Sequence, residues 1–101
     1  MNQKAMMKQI QQMQAAMAQA QQELAELEVT GQAGSGLVTA TCTAAGEWRS
    51  IRIDPKVLDP DDPEMVQDLV LAALNDAKAA AEAAQQERLG PLTAGINLPG
   101  F

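Results

Sequence analysis

The side chains of this sequence with a chemistry to offer are few, and the most suggestive are cations. Lys4 and Lys8 stand four apart, on one flank of any helix that contains them. Arg49 and Arg52 share a short strand-like run, on opposite faces by simple alternation. Lys78 and Arg88 come later, in a long alanine-rich stretch. Amines and guanidinium groups hold phosphates or carboxylates, although each one alone reads as a solvated surface charge. Other chemistry is scarce. The chain has no histidine, which removes Ser-His-Asp and Cys-His catalysis, imidazole metal sites and histidine pH switching. The lone Cys42 can form neither an internal disulfide nor a thiolate-rich zinc site. It alternates with Val38 and Ala40 on an apolar face, as a buried, inert thiol of a reducing compartment would.

Two further clusters resemble sites and read better as structure. Gly31-Gln32-Ala33-Gly34-Ser35-Gly36 is glycine-rich, but it lacks the Gly-Lys-Ser/Thr ending of a phosphate loop and the setting of a dinucleotide fingerprint. Its glycines suit a hairpin. Asp59, Asp61, Asp62 and Glu64 lack calcium-loop spacing and are interrupted by Pro60 and Pro63, which fits a capped helix start. No catalytic residue, metal or cofactor is expected, and no small-molecule substrate.

These cations sit in an acidic chain. Among 101 residues, seven basic side chains face thirteen acidic ones, for a net charge of −6. The imbalance is uneven: residues 1–22 hold Lys4 and Lys8 and no acid at all. An acidic body with a mildly basic arm is compatible with polyanion binding, which rests on local basic surface. No signal-peptide pattern opens the sequence, and the uncharged stretch from Val29 to Gly46 is broken by Gly and Thr. A soluble cytoplasmic protein with no membrane partner is expected.

The elements that position these residues follow from periodicity. Met6, Ile10, Met13, Met17, Ala20, Leu24 and Leu27 alternate spacings of four and three, an unbroken heptad seam that predicts one helix from about residue 2 to 26. Three strands follow, over Leu27–Gln32, Leu37–Thr43 and Trp48–Ile53. Val38, Ala40 and Cys42 share a face of the second. Ile51 and Ile53 share a face of the third, with Trp48 and Arg52 opposite. Short Gly-bearing connections make an antiparallel meander the economical topology. Asp62, Pro63 and Glu64 form a helix start, and the stripe Val66, Leu69, Val70, Ala73, Leu74, Ala77, Ala80, Ala84 predicts a second long helix that stops before Gly90-Pro91. The expected fold is α+β, α-β-β-β-α, as one domain over 1–90 with an irregular tail over 91–101.

Lengths add a consequence. Helices of about 25 residues reach roughly 38 Å, whereas strands of six or seven residues span only about 20–23 Å. Both helices must overhang the sheet. An apolar seam left in water over that length predicts a homodimer with projecting helical arms, held through Met13, Met17, Leu24, Leu27, Ile51 and Ile53.

Several stretches together resemble the YbaB/EbfC family of bacterial nucleoid-associated proteins. They are the Gln/Met-rich first helix, Val29-Thr30-Gly31-Gln32-Ala33-Gly34-Ser35-Gly36-Leu37-Val38, Ile51-Arg52-Ile53-Asp54-Pro55, Asp68-Leu69-Val70-Leu71-Ala72-Ala73-Leu74-Asn75-Asp76-Ala77 and the ending Gly95-Ile96-Asn97-Leu98-Pro99-Gly100-Phe101. The resemblance implies a tight homodimer with tweezer-like helices. It also implies a non-enzymatic protein that binds double-stranded DNA with little sequence preference, organises or protects the nucleoid and regulates transcription. By position it points to Lys4, Lys8, Lys78 and Arg88 as phosphate contacts, with Gln11 or Gln14 near sugars or bases. Ala79-Ala80-Ala81-Glu82 in the last helix, and Thr39 and Thr41 in the second strand, stand where such proteins carry more cations, so modest, salt-sensitive affinity is expected. The alternative is a helical scaffold that docks a partner protein and leaves DNA alone.

Overall fold

A computed structural model describes residues 2–94 of the chain. The order is α1 (Gln3–Glu26), β1 (Glu28–Ala33), β2 (Val38–Thr43), β3 (Trp48–Ile53), a 3-10 turn at Pro55–Val57, and α2 (Pro63–Ala94). Asn2 caps α1, its side-chain oxygen accepting from the Lys4 N–H at 3.1 Å. Asp62 does the same for α2, accepting from the Met65 N–H at 3.3 Å, with Pro63 as the first helical residue.

The strands form the antiparallel meander β1-β2-β3. Ala33 pairs with Val38 across the first hairpin, whose tip holds Ser35 at φ 56° and Gly36 at φ 93°. With Gly34 at φ 62° before them, three successive left-handed residues make the reversal, and this is the use of the Gly-Ser-Gly stretch. On the covered face, Val38, Ala40 and Cys42 are fully buried against Ala73, Ala77 and Ala81 of α2. Val57, brought in by the 3-10 turn, completes this core, a contribution that periodicity could not reveal.

Alanines on α2 and a glycine on β1 bring helix and sheet into backbone contact. A Cβ placed on Gly31 would lie 2.1 Å from the Ala77 nitrogen and 2.5 Å from the Ala73 oxygen. The helix is fastened there by the Asp76 carboxylate, which accepts from the Gln32 N–H at 3.0 Å. As a result α2 lies over β1 and β2, and no comparable packing covers β3.

Two expectations are corrected. First, α2 does not stop before Gly90 but continues through Pro91 to Ala94. Gly90 has no Cβ to clash with the proline ring, so the usual bar to helix before proline is relaxed, and only one N–H is lost near the helix end. The rest of the expected irregular tail, residues 95–101, lies outside the described residues. Second, Trp48 is not opposite Ile51 and Ile53. Cys42 pairs with Trp48 while Thr41 pairs with Ser50, so Arg49 is an extra, bulged residue. The bulge resets the alternation and turns Trp48 to the helix-covered side, where it lines a cleft with Cys42, Lys78 and Ala81. For the same reason Arg49 and Arg52 are not related by simple alternation. Leu24, one of the residues expected at the dimer contact, is buried by the packing of the single protomer.

Candidate nucleic-acid interface

The overhang expected from helix length is present: the molecule measures 71 × 28 × 16 Å. Where α1 joins the sheet, the Ala44 N–H donates to the Leu27 oxygen at 2.7 Å and the Ala45 N–H to the Leu24 oxygen at 3.2 Å. Beyond that joint α2 runs up along α1. The Gln85 amide donates to the Ala44 oxygen at 2.7 Å, and one turn later the Arg88 guanidinium meets the Glu23 carboxylate. Rising numbers in α2 thus meet falling numbers in α1, so the helices are antiparallel. From Arg88 the described part of α2 extends about 9 Å further, whereas α1 continues about 22 Å from Glu23 back to Lys8. The first turns of α1 therefore project past the described end of α2.

Lys4, Lys8 and Gln11 lie on this projecting arm and all three are exposed. Along the axis Lys4 and Lys8 are about 6 Å apart, and Gln11 follows about 4.5 Å on. No acidic residue occupies the first turn. The positive end of the helix dipole is left uncompensated and reinforces the two ammonium groups. Around them Met6, Met7, Ile10 and Met13 are exposed, whereas further along Ala20 and Leu24 are buried. The heptad seam is thus covered only in its last turns.

The other two expected contacts stand elsewhere. Lys78 is exposed in the middle of α2, in the cleft with Trp48 and Glu82. Arg88 is engaged by Glu23, which reduces what its charge can offer a phosphate. Within one protomer the structure does not bring Lys78 or Arg88 to Lys4 and Lys8. The Glu23 partner had no signature in the sequence, because the two residues lie 65 positions apart. Arg49 is also paired, with Glu47 at 3.4 Å. Cys42 is buried, and burial pushes its thiol pKa up, so it stays protonated and unreactive. Among the described residues, no group of three or more His, Cys, Asp or Glu side chains could hold a metal, and no helix is long and apolar enough to cross a membrane.

This α-β-β-β-α frame with its lysine-bearing arm coincides with one protein family along residues 1–96, the YbaB/EbfC DNA-binding family. The chain belongs to that family. Among YbaB/EbfC relatives, a nucleoid-associated protein of Nocardia farcinica is 57% identical over 93 residues, covering 92% of this chain and 84% of that protein. One from Streptomyces griseus is 53% identical over 104 residues, covering 99% and 91%. An uncharacterised Helicobacter pylori protein has the same fold in its crystal structure, with a TM-score of 0.78 at 23% identity over 91% of this chain and 97% of that one. The YbaB/EbfC family is defined by DNA binding and not by a reaction.

Proposed function

We propose that this YbaB/EbfC protein works as a non-enzymatic homodimer that binds double-stranded DNA through the projecting arm of α1. In doing so it would organise and protect the nucleoid and influence transcription. The observation that carries this is the arm itself: Lys4, Lys8 and Gln11 exposed together on an overhang free of carboxylates, in a protein that is otherwise acidic. Ammonium groups and amides aimed at a duplex engage phosphates and sugars, which position a protein without reading its sequence. Low sequence preference follows. Lys78 and Arg88 add contacts only where a second copy or a bound duplex brings phosphates to α2. For the second copy two apolar surfaces are open, the arm seam with Met13 and Met17, and the third strand with Ile51 and Ile53.

Fluorescence anisotropy of a labelled duplex across a salt series tests the proposal. Binding should weaken linearly on a log–log plot, and Lys4→Ala with Lys8→Ala should reduce the slope by about 1.8 per arm engaged, at roughly 0.9 per phosphate contact. A slope untouched by the double substitution would remove the arm from DNA binding. Failure of the native protein to bind at low salt would favour a protein-docking scaffold.

A further inference from the structure

One apolar side chain of the arm belongs neither to the heptad seam nor to the core. Met7 is 61% exposed, the highest value for a large hydrophobic side chain among the described residues. At about 100° per residue it stands roughly 90° around α1 from the middle of the seam and about 60° from Lys4. Gln3 lies one turn before it on the same side, and Gln11 and Gln14 lie one and two turns after it. All four side chains are exposed. They form an uncharged stripe of amides with one thioether among them, bordered on one side by Lys4 and Lys8. From Gln3 to Gln14 the stripe is about 17 Å long, the length of about five stacked base pairs. It lies wholly on the overhang, clear of α2. Phosphates are served by the lysine border. The stripe has the other chemistry, that of base edges.

We propose that the first turns of α1 enter the major groove of a duplex and that Met7 packs there against the C5-methyl groups of thymine. The inference rests on DNA binding by the arm and adds what the arm touches inside the groove. Charge selects the occupant. Two ammonium groups and an uncompensated helix N-terminus border the stripe, and residues 1–22 hold no carboxylate to oppose a polyanion. Width selects the groove. A helix of about 10–12 Å diameter fits the major groove at about 12 Å and is too broad for the minor groove at about 6 Å. With Lys4 and Lys8 on the phosphates of one groove wall, the stripe turns toward the groove floor. The apolar group on offer there is the thymine methyl. A methionine side chain is unbranched and polarizable, so it follows a methyl group in more than one position without a fixed register. The amide of Gln11, one turn along, suits the N6 and N7 edge of adenine. One methyl contact favours duplexes rich in thymine without specifying a site, which agrees with low sequence preference.

Removing the methyl group from the DNA decides it. The full chain is titrated at low salt against a labelled duplex rich in A·T pairs, and against the same duplex with deoxyuridine in place of every thymidine. The native protein should bind the uridine duplex more weakly, by about fourfold for each methyl contacted. Met7→Ala should bind both duplexes equally, at the level of the native protein on uridine, and keep the native circular dichroism because Met7 is exposed. Met7→Leu should restore the difference. Met65→Ala, which truncates an exposed methionine at the start of α2, should show the native difference in full. Equal binding of both duplexes by the native protein would overturn the proposal and leave the arm on phosphates alone. A full uridine penalty in Met7→Ala would also overturn it, because another residue would then meet the methyl. A native protein that binds neither duplex would instead overturn DNA binding by the arm.

Discussion

Gly31 shows how much one missing methyl group can decide. Its backbone rests across a single turn of α2, between Ala73 and Ala77, and any side chain would be driven into helix backbone that cannot yield. Gly31→Ala should therefore destabilise the fold by about 3 kcal/mol, the upper range for overpacking, read as a lower midpoint in urea unfolding. The ion pair between Arg88 and Glu23 acts on binding instead of folding. Both partners are partly exposed, so the pair contributes little to stability. Glu23→Gln should leave the melting temperature nearly unchanged while releasing Arg88, so DNA binding tightens severalfold at low salt and the salt slope steepens by about 0.9. The Cys42 thiol carries a pH dependence of known sign. Burial raises its folded pKa above the ordinary thiol value of about 8.5. The unfolded chain thus loses this proton first, and the contribution is intact below that value and declines as pH rises past it. Thermal melts of the native protein and Cys42→Ala, compared near neutral and at alkaline pH, should show the extra alkaline loss only in the native protein.

Each helix depends on a different part of its own length. The cap at Asp62 holds the first turn of α2 at the end of the sheet, and Asp62→Ala should cost about 1 kcal/mol in denaturant unfolding. At the level of elements most of the fold was legible, because it is written in local patterns. The four-three spacing of α1, the alternation of Val38, Ala40 and Cys42, and the Asp62-Pro63 start each depend on neighbours within a few residues. What escaped was set by contacts between distant segments or by exceptions to a period. The bulge at Arg49 reverses the side of Trp48 without altering any propensity. Gly90 lets α2 run through Pro91 where a breaker was expected. Leu24 sits in the seam by spacing, yet the protomer's own packing covers it. The lysines of the arm were visible as a charge pattern, whereas the neutralisation of Arg88 was not, since its partner lies on another helix.

Charge across the whole molecule is arranged along its length. The projecting turns of α1 hold two cations and no acid, while residues 54–68, at the far end of the sheet, hold six carboxylates and Lys56. A duplex approaching such a particle is drawn to one end and repelled by the other, which orients encounter and makes the association rate fall with added salt. Stopped-flow mixing should show that fall mainly in the on-rate, and Lys4→Ala with Lys8→Ala should flatten it.

The placement of Trp48 has a practical sequel. The chain carries no tyrosine and no other tryptophan, so its ultraviolet emission comes almost wholly from that one indole, half open to water on the third strand. If a second copy docks on the third strand, dilution that separates the two should shift this glow to longer wavelength, whereas a duplex gripped at the distant lysines should leave its colour unchanged, giving each event its own optical readout without any attached dye.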